Sequence, residues 1–214
     1  MTKPEAIFIS GIDTDAGKTY ATAFYARMLM EQGYSVITQK FIQTGCRETS
    51  EDIEAHRRLL DQPLLPEDKQ GLTAPVIFSY PASAQLAAKL DGKSIEPRII
   101  DAATEALLAN YDRVLIEGAG GLMVPLDDDF FTADYVASRR LPLVLVTNSR
   151  LGSINHTILS LRAVAEMGIE LRALIFNHHF DSDKLIARDT REFVERYLAS
   201  HFPGVPVLDL PSMN

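Results

Sequence analysis

Short apolar runs alternate with amphipathic stretches over much of this 214-residue chain. The first run, residues 6–10, is short and rich in β-branched apolar residues, as in a strand that is buried on both faces of a sheet. From Lys18 onward apolar residues recur at helical spacing, and Gly33 follows at the position where glycine favours the end of a helix. A second apolar run covers residues 35–39. These features predict a βαβ unit with parallel strands and a right-handed crossover.

The pattern weakens between residues 46 and 98, where five prolines interrupt it. We expect an insertion there, with one helix over about residues 50–60. Regular alternation then resumes. The remaining predicted helices cover residues 99–109, 153–167 and 183–200, and the remaining predicted strands cover residues 113–116, 143–147, 171–176 and 205–208. The chain is therefore predicted to form an α/β fold, a single doubly wound parallel sheet of the P-loop NTPase type, with one domain over residues 1–214.

Glycine-rich and polar segments follow the predicted strands. They are residues 11–19, 40–45, 117–121 and 148–155 and the residues from 177 onward. Ligands of doubly wound sheets bind outside the carboxyl ends of the strands. We therefore expect these five segments to meet at one edge and to form one site.

The segment from Gly11 to Thr19 reads Gly-Ile-Asp-Thr-Asp-Ala-Gly-Lys-Thr and lies between a predicted strand and a predicted helix. Glycines let backbone N–H groups close around phosphate, Lys18 supplies a cation, and the Thr19 hydroxyl can bind magnesium. Five residues separate Gly11 from Gly17, whereas the common motif has about four. An ordinary strand-to-helix turn is the plainer alternative, but the context favours nucleotide binding.

Two charged residues stand at other predicted strand ends. Lys40 would extend over the same edge as the loop lysine, and Glu117 precedes a Gly-Ala-Gly-Gly segment, where a carboxylate can bind magnesium on nucleotide phosphates. Each residue also has a plainer interpretation, Lys40 as a solvated strand end and Glu117 as the start of a turn. Asp52 is a further candidate metal ligand, but its position alone ranks it no higher than Glu51 or Glu54.

Other polar residues are more ambiguous. Asp13 and Asp15 could be metal ligands or turn residues. The amide of Asn177 could pair with the edge of a base. The histidines and aspartates of residues 178–183 resemble a metal cluster, but a polar turn before a helix explains them more simply. Cys46 lacks a partner base in the pattern, so a nucleophilic role is not favoured.

Composition narrows the classes of partner. The chain has 46% hydrophobic and 23% charged residues, which excludes disordered, collagenous and disulfide-scaffold proteins. Its 29 acidic and 21 basic residues give a net charge of -8, so we expect neither nucleic acid nor membrane as a partner. One cysteine, no export signal and no apolar run of ~18 residues predict a cytoplasmic protein. Anionic ligands must be held by a local cluster of donors.

These motifs together resemble the dethiobiotin synthetase family, ATP-dependent enzymes that close the ureido ring in biotin biosynthesis. The resemblance covers nearly the whole chain. It rests on residues 11–19 with their five-residue spacing, on Lys40 with Thr44-Gly45, on residues 114–121 followed by Pro125, and on residues 151–156. The fold and the ATP chemistry of that family are therefore expected here.

The resemblance implies a reaction on diaminopelargonic acid. One amine would be carboxylated by carbon dioxide, ATP would phosphorylate the carbamate to a carbamic-phosphoric anhydride, and the second amine would close the ring and expel phosphate. Lys18 and Lys40 would be the catalytic cations that neutralise the transferring phosphoryl group and the carbamate. Thr19, Asp52 and Glu117 would hold Mg2+.

The resemblance also implies the remaining contacts. Nucleotide contacts are expected at Asp15, Ala16, Gly17, Lys18, Thr19, Tyr20, Asp52, Glu117, Gly118, Ala119, Gly120, Asn177, His178, Leu210, Pro211 and Ser212. Substrate contacts are expected at Thr14, Thr44, Gly152, Ser153, Ile154 and Asn155. Asn177 would contact adenine. Family members are homodimers, in which the segment 152–155 contacts substrate bound mainly by the other subunit.

Departures and alternatives remain. Ile12, Phe41 and Ala84-Gln85 stand where the family usually has threonine, proline and Pro-His, which affects the expected shape of the substrate pocket. A nucleotide-dependent switch of the partitioning or assembly type shares the fold, but it needs a lysine near the start of the loop and positions 12–16 contain none. An amidating enzyme of the cobyrinate type would need a glutaminase domain, for which 214 residues leave no room.

Overall fold

The structure, a computed structural model, describes residues 3–212. The strands, numbered along the chain, are β1 (Glu5–Gly11), β2 (Val36–Lys40), β3 (Gln43–Thr44), β4 (Ile77–Phe78), β5 (Arg113–Gly121), β6 (Pro125–Asp127), β7 (Phe130–Phe131), β8 (Leu143–Asn148), β9 (Leu171–Asn177) and β10 (Val207–Leu210). The α-helices are α1 (Lys18–Glu31), α2 (Glu51–Leu59), α3 (Pro66–Lys69), α4 (Ala84–Leu90), α5 (Pro97–Leu108), α6 (Thr132–Ser138), α7 (Ser153–Glu166) and α8 (Lys184–His201), and a 3₁₀ turn spans His178–Phe180.

Six of the strands form one parallel sheet in the order β10-β9-β8-β1-β5-β2. Successive side chains of a strand point to opposite faces, and β1 shows the result. Ile7 and Ile9 belong to the same buried cluster as Tyr25 of α1, whereas Phe8 belongs to the cluster that contains Leu107 of α5. Helices therefore cover both faces, and the predicted doubly wound parallel sheet is confirmed.

The predicted elements agree with the observed ones except near some ends. Helix α1 is followed by Gly33 at φ +90, the left-handed conformation that glycine adopts most easily. The final strand was predicted over residues 205–208, and this is wrong by two residues, because β10 begins at Val207. Pro206 has no N–H for the ladder, so pairing through N–H groups starts after it.

The region between residues 46 and 98 contains α2, α3, α4 and the small β3–β4 pair. Helix α2 is fixed by a buried ion pair, in which the Arg57 guanidinium donates to both carboxylate oxygens of Asp68 at 2.9 and 2.8 Å. The same guanidinium donates to Thr38 Oγ1 on β2 at 2.9 Å. The rotation of α2 relative to the sheet is thereby set.

The outer edge of β2 is also covered. The backbone N–H of Lys40 donates to the carbonyl of Thr73 at 2.7 Å, and the N–H of Gln43 donates to the carbonyl of Val76 at 2.9 Å. At the other edge of the sheet, β10 has four residues and carries the exposed Asp209.

Several short helices and strands were not predicted from the sequence. Helices α3, α4 and α6 have four to seven residues, and β3, β4, β6 and β7 have two or three. Such lengths are too short to show a period of 3.6 or of 2. Of the helices over residues 3–212, none combines the length and apolar composition that crossing a membrane requires.

Candidate active site

The loop between β1 and α1 forms an uncapped helix start. Gly17 is the N-cap of α1 at φ +91, and Asp15 also has a positive φ, +56. No side chain caps α1, and no acidic residue lies in its first turn. The first N–H groups of a helix lack intrahelical partners and attract anions. This loop is therefore arranged to bind phosphate, and Lys18 Nζ donates to the carbonyl of Asp13 at 3.0 Å.

Next to the loop the sheet register places Lys40 on β2 directly beside Glu117 on β5. The Lys40 ammonium donates to Glu117 Oε1 at 2.8 Å and to the Gly118 carbonyl at 3.2 Å, and its Nζ lies 2.5 Å from Asp52 Oδ2. Thr19 Oγ1 lies 3.2 Å from Glu117 Oε1 and 3.4 Å from Asp52 Oδ1. Four elements, β2, β5, α1 and α2, thus contribute to one charged cluster.

Burial and neighbouring opposite charges shift the pKa values of this cluster in opposite directions. Burial by itself would raise the pKa of Glu117, but the ion pair with Lys40 and the hydrogen bond from His56 hold that pKa well below its ordinary value. Burial would lower the pKa of Lys40, but the charges of Glu117 and Asp52 raise it. For Lys18, burial and the charge of Lys40 prevail and lower the pKa. The nearby carboxylates therefore compensate the charge of Lys18 less fully than that of Lys40.

The oxygen donors of the cluster fit magnesium. The carboxylates of Asp52 and Glu117 and the hydroxyl of Thr19 are hard ligands, and the hydroxyl lies within hydrogen-bond range of both carboxylates. Over residues 3–212 no three His, Cys, Asp or Glu side chains are grouped to hold a metal ion. Magnesium on nucleotides usually takes ~1–2 protein carboxylates, with phosphate and water as the other ligands. The three residues therefore suit an ion that arrives with a nucleotide.

The loop and the charged cluster border a cavity of about 440 Å³, a size typical of small-molecule sites. The predicted site residues that line it are Thr14, Asp15, Gly17, Lys18, Thr19, Tyr20, Lys40, Thr44, Asp52, Glu117, Ala119, Gly120, Asn177, Leu210 and Pro211. The predicted site residues outside this lining are Ala16, Gly118, Gly152, Ser153, Ile154, Asn155, His178 and Ser212. The structure therefore brings the phosphate and metal candidates together and leaves the segment 152–155 apart.

Asn177 connects the loop between β1 and α1 to the residues that follow β9. Its Nδ2 donates to the carbonyl of Ala16 at 3.1 Å, and its Oδ1 accepts from the backbone N–H of His179 at 3.0 Å. His178, which was predicted to contact nucleotide, contacts Asp181 Oδ2 at 2.6 Å and Asp209 Oδ1 at 2.8 Å. Asn177 lines the cavity, and His178 is not among the lining residues.

The segment 152–155 forms the start of α7. Gly152 is its N-cap at φ +95, and no side chain caps the helix. Gly152 and Ile154 line a second, shallower cavity together with Leu151 and with Leu185 of α8. Leu151 is 91% exposed and Leu185 is 78% exposed. Two large apolar side chains therefore lie on the surface beside a helix N-terminus.

Several residues at or near the site were not predicted, among them Ile42, Gln43 and His179 in the cavity lining. Arg150 and Phe180 line the main cavity, and the Arg150 guanidinium lies 3.8 Å from the centre of the Phe180 ring. His56 is fully buried and contacts Glu117 Oε2 at 2.6 Å. The signal for His56 was its position one helical turn after Asp52, on the same face of α2.

Sequence comparisons find relatives that are all named as the same kind of enzyme. A family model described as an AAA domain matches residues 5–211. ATP-dependent dethiobiotin synthetase BioD 2 of Pasteurella multocida (strain Pm70) is 47% identical over 98% of this chain and 99% of that protein. The protein of the same name from Haemophilus ducreyi (strain 35000HP) is 50% identical over 94% of this chain and 96% of its own length. ATP-dependent dethiobiotin synthetase BioD of Chlorobaculum tepidum is 47% identical over 98% and 88%.

Solved structures share the fold. A plasmid partition protein from Borrelia burgdorferi B31 bound to AMPPNP has a TM-score of 0.57 at 14% identity, over 98% of this chain and 88% of that one. The signal recognition particle receptor FtsY from Elizabethkingia anophelis in complex with GDP also has a TM-score of 0.57, at 15% identity, over 100% of this chain and 59% of that one. At such identity the likeness concerns the fold alone.

Proposed function

The chain belongs to the ATP-dependent dethiobiotin synthetase family, and on that basis we propose that it closes the ureido ring of dethiobiotin at the cavity beside the phosphate loop. The reactants are diaminopelargonic acid, carbon dioxide and ATP. The observation that carries this proposal is the second ammonium, Lys40, which is buried at a strand end beside Lys18 and the metal candidates. A carbamate and a transferring phosphoryl group together bring more negative charge than the loop lysine can neutralise.

We assign the residues as follows. The N–H groups at the start of α1 and the Lys18 ammonium hold the ATP phosphates. Lys40 binds the carbamate oxygen that attacks the γ-phosphate and keeps its negative charge balanced during transfer. Thr19, Asp52 and Glu117 hold Mg2+, which would neutralise phosphate charge and help to orient the phosphoryl group. The carbamic-phosphoric anhydride is then attacked by the neighbouring amine, and phosphate leaves.

The base and substrate contacts are also proposals. Asn177, Leu210 and Pro211 line the cavity, and we assign them to the contact with adenine. Both polar atoms of the Asn177 amide already have one partner, so a base would use its second N–H or the second lone pair of its oxygen. Thr14 and Thr44 line the same cavity as Lys40, and we assign them to the contact with the substrate.

We further propose a homodimer in which the segment 152–155 completes the site of the partner subunit. Two features support this proposal. The uncapped N-terminus of α7 suits a substrate carboxylate, yet this segment lies outside the main cavity of its own chain. The exposed Leu151 and Leu185 beside it are the kind of apolar surface that a subunit contact covers.

The dimer leads to a prediction for Leu151→Asp. A charge at this exposed position should weaken a subunit contact without disturbing the fold, so the variant is expected to shift toward monomer and to lose activity in parallel. Light scattering at the assay concentration measures the mass. Leu90→Asp, at a site 56% exposed on α4, is the matched control. A wild-type monomer with full activity would contradict the shared site.

The activity itself is tested by phosphate release from MgATP. We expect release only when diaminopelargonic acid and bicarbonate are both present, because the phosphoryl acceptor is the carbamate that they form. Mass spectrometry should show dethiobiotin in equal amount to phosphate. Hydrolysis without substrate that another protein stimulates would instead favour the switch class.

The switch alternative is not favoured. The likeness to the partition protein is at 14% identity and concerns the fold, whereas relatives at 47–50% identity carry the synthetase name. We place the enzyme in the cytoplasm, because its one cysteine, Cys46, is a buried free thiol. The net charge of -8 is consistent with small-molecule partners rather than nucleic acid.

A further inference from the structure

The two carboxylate oxygens of Glu117 have different partners. Oε1 accepts from Lys40 Nζ at 2.8 Å, with Thr19 Oγ1 at 3.2 Å, and both of these residues line the cavity. Oε2 is 2.6 Å from Nε2 of His56, which is not among the lining residues. Because Glu117 is 1% exposed, water does not take the place of these partners. The plane of the carboxylate is therefore fixed from both sides.

His56 is an unusual residue to find in such a place. It is 0% exposed, and its Nδ1 is buried without a hydrogen-bond partner in the described residues. An unpaired buried nitrogen is unfavourable, and an apolar side chain of similar size would avoid it. Among residues 3–212, the polar contact of the ring is the bond to Glu117. His56 does not line the cavity, so it does not contact the ligands there.

Helix α2 presents His56 and Asp52 one turn apart, so that both lie on the face toward Glu117 and Lys40. One rigid element therefore supplies a candidate metal ligand and the group that orients another. The Arg57–Asp68 pair and the bond from Arg57 to Thr38 hold this element against β2. The spacing between the two carboxylates thus depends on α2.

We propose that His56 is a positioning residue, which donates its Nε2–H to Glu117 Oε2 and so leaves Oε1 as the single oxygen that Glu117 offers to the metal. This inference rests on the proposed function in one respect, the assignment of Glu117 as a magnesium ligand. Without the histidine, the carboxylate is free to rotate about its last bond and to turn either oxygen toward Lys40. The metal position relative to Thr19 is then lost.

The test is metal affinity measured without turnover. The His56→Leu and His56→Gln variants are titrated with Mn2+ in the presence of a non-hydrolysable ATP analogue, and bound metal is followed by electron paramagnetic resonance. Loss of an outer partner of a metal ligand typically weakens metal binding by about 10- to 100-fold. We expect a loss of that size in His56→Leu, recovery of most of the affinity in His56→Gln, which keeps an N–H donor, and unchanged binding of the analogue in metal-free buffer.

Ile53→Ala is the matched control, because Ile53 is buried on the same helix and its side chain has no N–H to donate to Glu117. It should lower stability and leave metal affinity unchanged. Equal losses of metal affinity in Ile53→Ala and His56→Leu, or affinity within twofold of wild type in a folded His56→Leu, would overturn the proposal.

A second measurement needs no variant. Nitrogen-15 spectra of histidine-labelled wild-type protein should show a proton on Nε2 of His56, and a spectrum without that proton would overturn the proposal even if His56→Leu does not fold. Absence of dethiobiotin formation by a wild-type protein that binds Mn2+ and nucleotide would instead count against the proposed function alone.

Discussion

Replacing Lys40 with alanine is expected to abolish ring closure while nucleotide binding survives. The ammonium is the group that would balance the carbamate during phosphoryl transfer, and removing such a group from a buried site typically lowers kcat by about 10³-fold or more. The loop N–H groups and Lys18 are left in place, so ATP still binds. Dethiobiotin formation measures the first effect, and calorimetric titration with an ATP analogue measures the second.

Lys40 also pairs with Glu117 and Asp52, so the variant is expected to lose stability. Breaking a buried ion pair costs about 3–5 kcal/mol. Arg113→Ala is the control, since it removes another buried cation, which pairs with Glu5, lies on the Tyr34 ring and is not among the residues that line the cavity. It should lose stability and retain most of its turnover. Normal turnover in Lys40→Ala would remove Lys40 from the mechanism.

The second large effect is expected for Gly17→Ala. A Cβ at Gly17 would lie 2.1 Å from Asn177 Nδ2, and the residue has φ +91. Either Asn177 or the loop must move, and the bond from Asn177 to the Ala16 carbonyl is lost with it. We expect nucleotide affinity to fall by at least about 100-fold, or ~2.7 kcal/mol. Titration with an ATP analogue checks this value.

The Gly33→Ala variant separates the effect of the clash with Asn177 from the effect of the strained backbone. Gly33 has nearly the same backbone angle, φ +90, but nothing lies within 4 Å of its added Cβ. It should cost only the strain of the left-handed backbone, about 1 kcal/mol of unfolding free energy, and leave nucleotide affinity unchanged. Equal losses of affinity in both variants would show that the contact with Asn177 is unimportant.

The central sheet could be predicted because burial on both faces leaves unbroken apolar runs. The run at residues 143–147 is an example, since all of β8 is buried. The meeting of Lys18, Lys40 and Glu117 at one edge also followed from parallel strands, whose carboxyl ends lie together. These predictions depend on local pattern and on one topological rule, so the sequence was sufficient.

Local pattern and topology could not show which acidic residue of α2 is the candidate metal ligand. Glu51, Asp52 and Glu54 lie on one short helix, and its rotation decides which of them faces Lys40. The rotation is set by contacts of Arg57 with Asp68 and Thr38, which are 11 and 19 residues away along the chain. Only the resemblance favoured Asp52, and the structure places its Oδ2 at 2.5 Å from Lys40 Nζ.

The direction of the Phe41 side chain, at the position where the family usually has proline, also could not be predicted from the sequence. Phe41 directly follows Lys40, so the sequence placed it near the substrate. In the structure it is 1% exposed, and its ring packs 5.3 Å from that of Phe8 and 4.7 Å from that of Tyr135, measured between centroids. The ring faces the core beneath β2, and Ile42 lines the cavity instead.

Both edges of the central sheet have a consequence for the behaviour of the protein at high concentration. An open strand edge can accept a strand from another molecule and start aggregation. Beside β2, the carbonyls of Thr73 and Val76 already accept hydrogen bonds from the strand end and the residues that follow. On β10, Asp209 pairs with Arg191, and Pro211 follows the strand directly. Backbone bonds thus oppose strand addition at the carboxyl end of β2, and charge and proline oppose it at β10.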